Sequence, residues 1–493
     1  MGVRDLHKAL VDACKETTFT QITQDHYAVT RRPFILGIDA SIWFYQFQES
    51  SSKFKKHQST MNPELRQAFK RLAFFLRLLI VLVFVFDGPE HPSTKRGKKV
   101  IKRDHWMAIS FKEMVVAFGY HFHQAPGEAE AELAFLNTEG HIDAILTEDS
   151  DVFVFGAKYT IRSLNPSKDP DAIATYQSCD TDKIMMKGGL YLFAILRGGD
   201  YHTGLKGCGL ELARRLTGTD LSTDLRLLSE DDVSVWQAYL PHWRTKLQTQ
   251  LASDPHELLG RKHKVLAASV PDAFPPLDVL RNYFQPVMSQ NLGSTERWRV
   301  FNLPMLVNLG SVAEWLFNWK TLGTMDIQIR KYGIAEGYCV RQLLMHPDTP
   351  TLVTGVRKYA DSYWFLVQFD ASIFNKLDGS SHSATTVLKI PASHLQPVPS
   401  VILAYLEEIR NMEPGSERRK KLDGSTMKTD KKADKKGNKK PVKKPKSRKG
   451  GENENGEEAR LRGFQGMHAD AEASRKKANN SEETTKGYAG FRK

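Results

Sequence analysis

Residues 126–156 read PGEAEAELAFLNTEGHIDAILTEDSDVFVFG. Glu128, Glu130 and Glu132 open an apolar helical pattern in which Leu133 and Leu136 share a face and Gly140 supplies a C-terminal stop. The short apolar run HIDAIL follows as a strand, and Glu148, Asp149 and Asp151 come directly after it. Acidic residues are ordinarily solvated. Here they bracket a segment that reads as buried, so their reading decides what the chain is.

Two other apolar runs end in the same way. FILGIDAS (34–41) delivers Asp39, and LLIVLVFVFDG (78–88) delivers Asp87, as AILTED (144–149) delivers Asp149. Helical patterns separate the runs, among them PELRQAFKRLAFFLRLL before Asp87. Strands alternating with helices predict an α/β fold with a central, mostly parallel sheet flanked by helices. In such sheets ligands bind beyond the carboxyl ends of the strands.

A single aspartate after a strand is usually a cap or a turn residue. Convergence changes the reading. Asp39, Asp87, Glu128, Glu130, Asp149 and Asp151 all fall at one sheet edge, and Asp200 joins them from the next helical segment. Carboxylates crowded into one pocket repel one another and stay ionised together only if cations neutralise them. Oxygen-only donors select hard cations, Mg²⁺ or Mn²⁺. Asp149 and Asp151, two apart, point the same way in an extended segment. Helix geometry alone pairs Glu128 with Glu132, four apart, unless Glu128 precedes the first turn after Pro126-Gly127.

The 493 residues suffice for two or three domains. The net charge of +13 is uneven: residues 413–493 hold 24 Lys+Arg against 13 Asp+Glu, and the other 412 residues hold 46 against 44. Cys14, Cys179, Cys208 and Cys339 form no C-x-x-C pair, which argues against a zinc site and for a reducing compartment. The clean apolar run Leu78–Phe86 is nine residues, too short to span a bilayer, and MGVRDL begins neither a signal peptide nor a myristoylation site. No membrane association is expected.

Six segments occur in the order shown by one family: MGVRDL, GIDAS, VFDG, PGEAEAELAFLN, DAILTEDSDVFVFGA and GGDYHTGLKGCG. Across residues 1–215 the chain resembles the XPG-like, structure-specific 5′ nucleases that include flap endonucleases and the eukaryotic Holliday-junction resolvases. The resemblance implies a PIN-like nuclease core in which Asp39, Asp87, Glu128, Glu130, Asp149, Asp151 and Asp200 hold two divalent metals, Mg²⁺ with Mn²⁺ as a substitute, about 4 Å apart on a scissile phosphodiester. It implies products with a 5′ phosphate and a 3′ hydroxyl. It makes Glu130 the second glutamate and leaves Glu132 an ordinary surface residue.

The resemblance also implies DNA contacts. Basic residues crowd DGPEHPSTKRGKKVIKRDHW (87–106), either as a solvated helix face or as a phosphate-steering group. Flap endonucleases use two basic residues seven apart, a separation shared by Lys95 with Lys102 and by Arg96 with Arg103, so both registers stand. Gly2, at the start of MGVRDL, joins the expected DNA-contacting residues. DYHTGLKGCGLELARRL resembles a helix–two-turn–helix, in which Gly204, Gly207 and Gly209 let backbone approach phosphate, Lys206 adds charge, and a monovalent cation is a possible occupant.

Only 41 positions separate Asp87 from Glu128, against a much longer interval in flap endonucleases, where it forms an arch for a free 5′ end. The short interval favours substrates without a free end. Residues 216–330 read as a helical extension. Within 331–412, YCVRQLLMH, VRKYADSYW and WFLVQFDAS alternate like strands of a small module resembling a chromodomain, with Tyr338, Tyr363 and Trp364 as cage candidates, closed by the helical SVILAYLEEIRNM. Residues 413–493 read as a disordered basic tail with nuclear-targeting clusters at 418–421 and 439–449. The expected protein is a nuclear, Mg²⁺-dependent endonuclease that acts on branched DNA (Holliday junctions, 5′ flaps, replication forks) as a homodimer on the junction. A flap or excision-repair nuclease is the first alternative. A non-catalytic scaffold for junctions or chromatin is the second.

Overall fold

The protein is described by a computed structural model, which defines residues 2–54, 62–92, 94–95, 97–99, 105–165, 168–255, 257–305, 309, 333–346, 352–359, 362–370 and 385–395. The tail, the targeting clusters and the segment SVILAYLEEIRNM lie outside these residues, as do Arg96, Lys102 and Arg103.

The chain forms two compact units. The larger is built on a seven-stranded sheet. Its strands are β1 (Lys15–Thr18), β2 (Phe34–Asp39), β3 (Ile80–Phe86), β6 (His121–Gln124), β7 (Ala144–Leu146), β8 (Tyr159–Asn165) and β9 (Asp169–Gln177), in the order β1-β9-β8-β7-β2-β3-β6. The two-residue strands β4 (Thr94–Lys95) and β5 (Lys98–Lys99) make a separate hairpin. The five central strands β8-β7-β2-β3-β6 run parallel, and β9 and β1 extend the sheet antiparallel. β2 and β3 are buried along their whole length, which is why they read as unbroken apolar runs. Strand order reverses at β2, since β3 and β6 lie on one side and β7 on the other. That reversal opens a crevice at the carboxyl edge.

Helices cover the faces: α1 (Ala40–Phe54), α2 (Pro63–Leu76), α3 (Ala108–Ala117), α4 (Ala129–Thr138), α5 (Asp151–Val154), α6 (Lys187–Arg197), α7 (Leu210–Leu216), α8 (Asp220–Leu228), α9 (Val233–Ser253) and α10 (Leu277–Phe284). α4 lies close over β2: a Cβ at Gly37 would sit 2.4 Å from Ile142 Cδ1 and 2.6 Å from Leu133 Cδ2. Only glycine admits that approach. Among the described residues no helix is long and apolar enough to cross a membrane.

The stretch containing YCVRQLLMH is not a strand. Ile334–Met345 forms helix α11, and Tyr338 is buried in it rather than placed in a β-module cage. Its buried positions run nearly all round the helix, so neither a period of two nor one of 3.6 could be distinguished in the sequence. Arg341, fully buried, locks α11 to the larger unit. Its guanidinium donates to the carbonyls of Leu76 (3.3 Å), Ile80 (2.9 Å) and Asn302 (3.1 Å) and to the Tyr120 hydroxyl (3.4 Å). The Leu76 carbonyl lies at the C-terminus of α2, where the helix dipole favours a cation. The smaller unit carries β10 (Leu352–Tyr359) and β11 (Ser362–Asp370), antiparallel neighbours in a three-stranded sheet with β12 (Thr385–Pro391).

Arg341→Met is expected to lower stability by about 3 kcal/mol, because it strands several buried acceptors at once. Thermal unfolding of the full chain checks this.

Candidate active site

The four parallel strands β2, β3, β6 and β7 end at one edge, and each hands an acidic residue to it. Asp39 is the last residue of β2, and Asp87 follows β3. Pro126-Gly127 turns the chain after β6, so that Glu128 becomes the N-cap of α4 with extended backbone (φ −81°, ψ 140°) and Glu130 lies in its first turn. Asp149 and Asp151 follow β7. Asp200 arrives from the turn after α6.

Backbone hydrogen bonds fix several of these carboxylates. Asp39 Oδ1 accepts from the Ser41 amide (2.8 Å), Asp87 Oδ2 from the Ser41 hydroxyl (2.9 Å) and Asp87 Oδ1 from the Ala129 amide (2.9 Å). Asp149 Oδ1 accepts from the Asp151 amide (2.9 Å). This last bond corrects the expected extended geometry: Asp151 begins α5, and a turn, not strand alternation, brings the pair together. Gly2 is packed against them. Its φ is +75°, and a Cβ there would meet Asp149 Oδ1 at 2.0 Å and Asp151 Oδ1 at 2.9 Å. The residue expected to contact DNA thus lies directly against Asp149 and Asp151.

Asp39, Glu128, Asp149, Asp151 and Asp200 are buried, Glu130 is half-buried and Asp87 is exposed. Burial, then the charges of Asp87 and Asp149, push the Asp39 carboxyl up to about 8. Burial raises Glu130 well above the carboxylate range, with Asp39, Asp87 and Asp149 adding to it against Lys95. Asp151 is raised well above that range by burial and by Asp149 and Asp200, and Asp149 is raised by burial. Mutual repulsion is therefore present at the site, as the spacing required.

One cation already stands among the acids. Lys95, on β4, pairs with Glu128 Oε1. Burial pushes the ammonium down, but Glu130, Glu128 and Asp87 outweigh it and hold it above its ordinary value. Lys95 is thus beside the carboxylates, in a hairpin and not on a helix face. One lysine does not balance seven carboxylates. Among the described residues no three His, Cys, Asp or Glu side chains are already drawn together tightly enough to hold a metal ion. The donor set nonetheless fits one: every candidate donor is an oxygen, and Glu130 Oε2 and Asp151 Oδ1 are buried with no hydrogen-bond partner among the described residues.

Glu132 is not the surface residue expected. It is fully buried, accepts from the Ser289 amide (2.9 Å) and pairs with His123 Nε2 (2.7 Å). Burial raises its carboxyl, but these partners outweigh that and hold it below the usual range.

Two tyrosines went unread in the sequence. The Tyr201 hydroxyl donates to Glu128 Oε2, and its ring lies 4.9 Å from that of Tyr283. Burial first, then nearby carboxylates, push both phenols well above their ordinary value. Tyr201 adjoins Asp200 and was legible as a neighbour. Tyr283, on α10, carried no motif.

Residues 198–209 form the connection between α6 and α7. Lys206, Gly207 and Gly209 are exposed on it, with open space around Gly209. Gly204 (φ +82°) serves the turn itself, since a Cβ there would strike the Arg197 backbone at 2.5 Å. Arg197 ties this connection to the N-terminal segment, donating to the Cys208 carbonyl (2.7 Å) and pairing with Asp5.

Residues 1–106 match the XPG N-terminal domain and residues 119–200 the XPG I-region. The chain is 32% identical over 203 residues to the flap endonuclease GEN homolog 1 of Homo sapiens and 31% identical over 202 residues to that of Mus musculus. Each match covers 37% of this chain and 22% of the relative, so the chain spans about a fifth of the length of these two relatives. A crystal structure of the Holliday junction-resolving enzyme GEN1 with product DNA and Mg²⁺ superposes with a TM-score of 0.66 at 26% identity, covering 83% of this chain and 100% of that one. A eukaryotic junction-resolving enzyme GEN-1 binding potassium gives a TM-score of 0.67 at 25% identity with the same coverage. In its matched segments within residues 1–200, its parallel sheet and the acids at the sheet's edge, this chain is similar to the XPG-like nucleases.

Proposed function

We propose that this chain is a Mg²⁺-dependent, structure-specific endonuclease that resolves Holliday junctions and also cuts 5′ flaps. The observation that carries the reading is the delivery of acidic side chains by four parallel strands to one edge, with two of their oxygens buried and unpartnered among the described residues. The relatives named above, which act on flaps and junctions, support the substrate class.

In this reading Asp39, Asp87, Glu128, Glu130, Asp149, Asp151 and Asp200 hold divalent cations, Mg²⁺ or Mn²⁺. Bound there, the ions supply Lewis acidity to the scissile phosphodiester and lower the pKa of water. The protein's own part is placement. Ser41 and the Ala129 amide orient Asp87, and Tyr201 orients Glu128. Lys95 is close enough to the acids to meet a phosphate drawn to them. Lys206, Gly207 and Gly209 face solvent, where duplex backbone would pass, and a monovalent cation at these turns fits the GEN-1 structures with potassium, sodium and caesium.

The remaining readings are proposals of the same kind. Resolution needs opposed cuts, so two copies act on one junction. The strands β10, β11 and β12 support a chromodomain-like module within 331–412, used as an added DNA contact, after a core in 1–215 and a helical extension in 216–330. The basic tail, 413–493, carries nuclear targeting.

A labelled four-way junction, a 5′ flap and plain duplex, each with Mg²⁺ or EDTA, separate the readings. Symmetric metal-dependent nicks in the junction are expected; flap cutting alone would favour an excision-repair nuclease, and binding without cuts a scaffold. Glu130→Gln is expected to bind the junction normally and cut it at least ~100-fold more slowly, measured under single turnover.

The raised Asp39 carboxyl predicts a pH signature. Below its ordinary value of 3.8 the group is protonated in folded and unfolded chains alike; between there and about 8 unfolding releases a proton, so the protein loses stability as pH rises. In EDTA, Asp39→Asn should therefore be more stable than wild type at about pH 8, with the gap closing towards pH 4. Mg²⁺ should shrink or reverse that gap. Thermal midpoints across the range provide the check.

A further inference from the structure

We propose that Tyr283, on α10 of the helical extension, is a positioning residue of the candidate active site, its hydroxyl acting with that of Tyr201 to set the Glu128–Asp200 side of the carboxylate cluster for a divalent cation. The inference rests on the nuclease reading above and adds to it a residue far outside the matched segments, which end at residue 200.

Tyr283 is 1% exposed. Its ring is held edge-on to Tyr201 (4.9 Å between centroids, 73°) and lies 6.0 Å from Phe155, just beyond α5. The helix that carries it is anchored next door, where Phe284 packs on Tyr191 (4.7 Å) and Trp236 (5.3 Å). The phenol is therefore placed by packing from both sides. Its oxygen lies over the backbone that leads into Asp200: a Cβ built on Gly199 would be only 3.2 Å from it. The adjacent Tyr201 hydroxyl already donates to Glu128 Oε2.

The oxygen itself has no hydrogen-bond partner among the described residues. Burying a hydroxyl unpaired costs free energy that a phenylalanine in the same place would not incur. A tyrosine kept only for packing gains nothing from the oxygen. A tyrosine kept for the site gains a donor beside the backbone that leads into Asp200, where ordering a carboxylate or a cation's water shell sharpens metal binding. Groups of this kind act through the ligands they orient, so their removal weakens the metal without touching DNA.

Tyr283→Phe in the full chain isolates the oxygen, and Tyr201→Phe removes the donor already seen on Glu128. Mn²⁺ binding is read without DNA by titration calorimetry, and the Mg²⁺ concentration for half-maximal junction cleavage is read separately. Expected for Tyr283→Phe is about 10-fold weaker Mn²⁺ binding and a matching rise in the Mg²⁺ requirement. Junction affinity in EDTA should be unchanged, and the thermal midpoint in EDTA unchanged or higher. Tyr201→Phe should shift metal binding in the same direction. Unchanged Mn²⁺ affinity in Tyr283→Phe, or a lowered midpoint in EDTA that accounts for any loss, would overturn the proposal. A wild-type protein that neither binds Mn²⁺ nor cuts would instead sink the nuclease reading itself.

Discussion

Acidic charge held at the carboxyl edge of a buried parallel sheet is the constraint to which the rest of this molecule answers. The sheet imposes it. Parallel strands must all end on the same side, and the apolar runs of β2 and β3 leave their first polar residues, Asp39 and Asp87, at that boundary. Burial makes Asp39, Glu130 and Asp151 more costly to ionise, and the neighbouring acids add to that cost. Ser41, the Ala129 amide, Tyr201 and Lys95 temper the strain at single positions without abolishing it.

What was legible in the sequence follows from the same physics. Strands buried on both faces announce themselves as unbroken apolar runs, so β2, β3 and β7 and their terminal acids could be read directly. β1, with the residues KETT, and β6, with HFHQ, could not: each is an edge strand, and edge strands face too much solvent to keep an apolar signature. The helix start at Glu128 was readable because Pro-Gly and a following apolar face mark it. Glu132 was misread because its burial depends on His123 and Ser289, the second of them 157 positions away. Spacing along a helix reports which face a residue shares, not what meets it there.

The same limit explains α10 and α11. No motif marked their key polar groups, yet α10 brings a phenol against Tyr201 and α11 brings a guanidinium to the carbonyl end of α2. Both contributions are single buried polar groups. Such groups are invisible to pattern and decisive in packing, because a buried polar atom tolerates few positions.

The open sheet has two outer strands, and they are guarded differently. β1 is four residues long and polar. Along the side of β6, a strap from Val287 to Met305 lies close: Val287 presses on Gly127, Ser289 bonds Glu132, Trp298 faces His123 at 6.2 Å, Asn302 bonds His121 at 3.2 Å, and the Met305 amide reaches the Ala117 carbonyl at 2.7 Å. With one margin too short and the other strapped over, strand-to-strand recruitment into fibrous aggregates is blocked at its starting point.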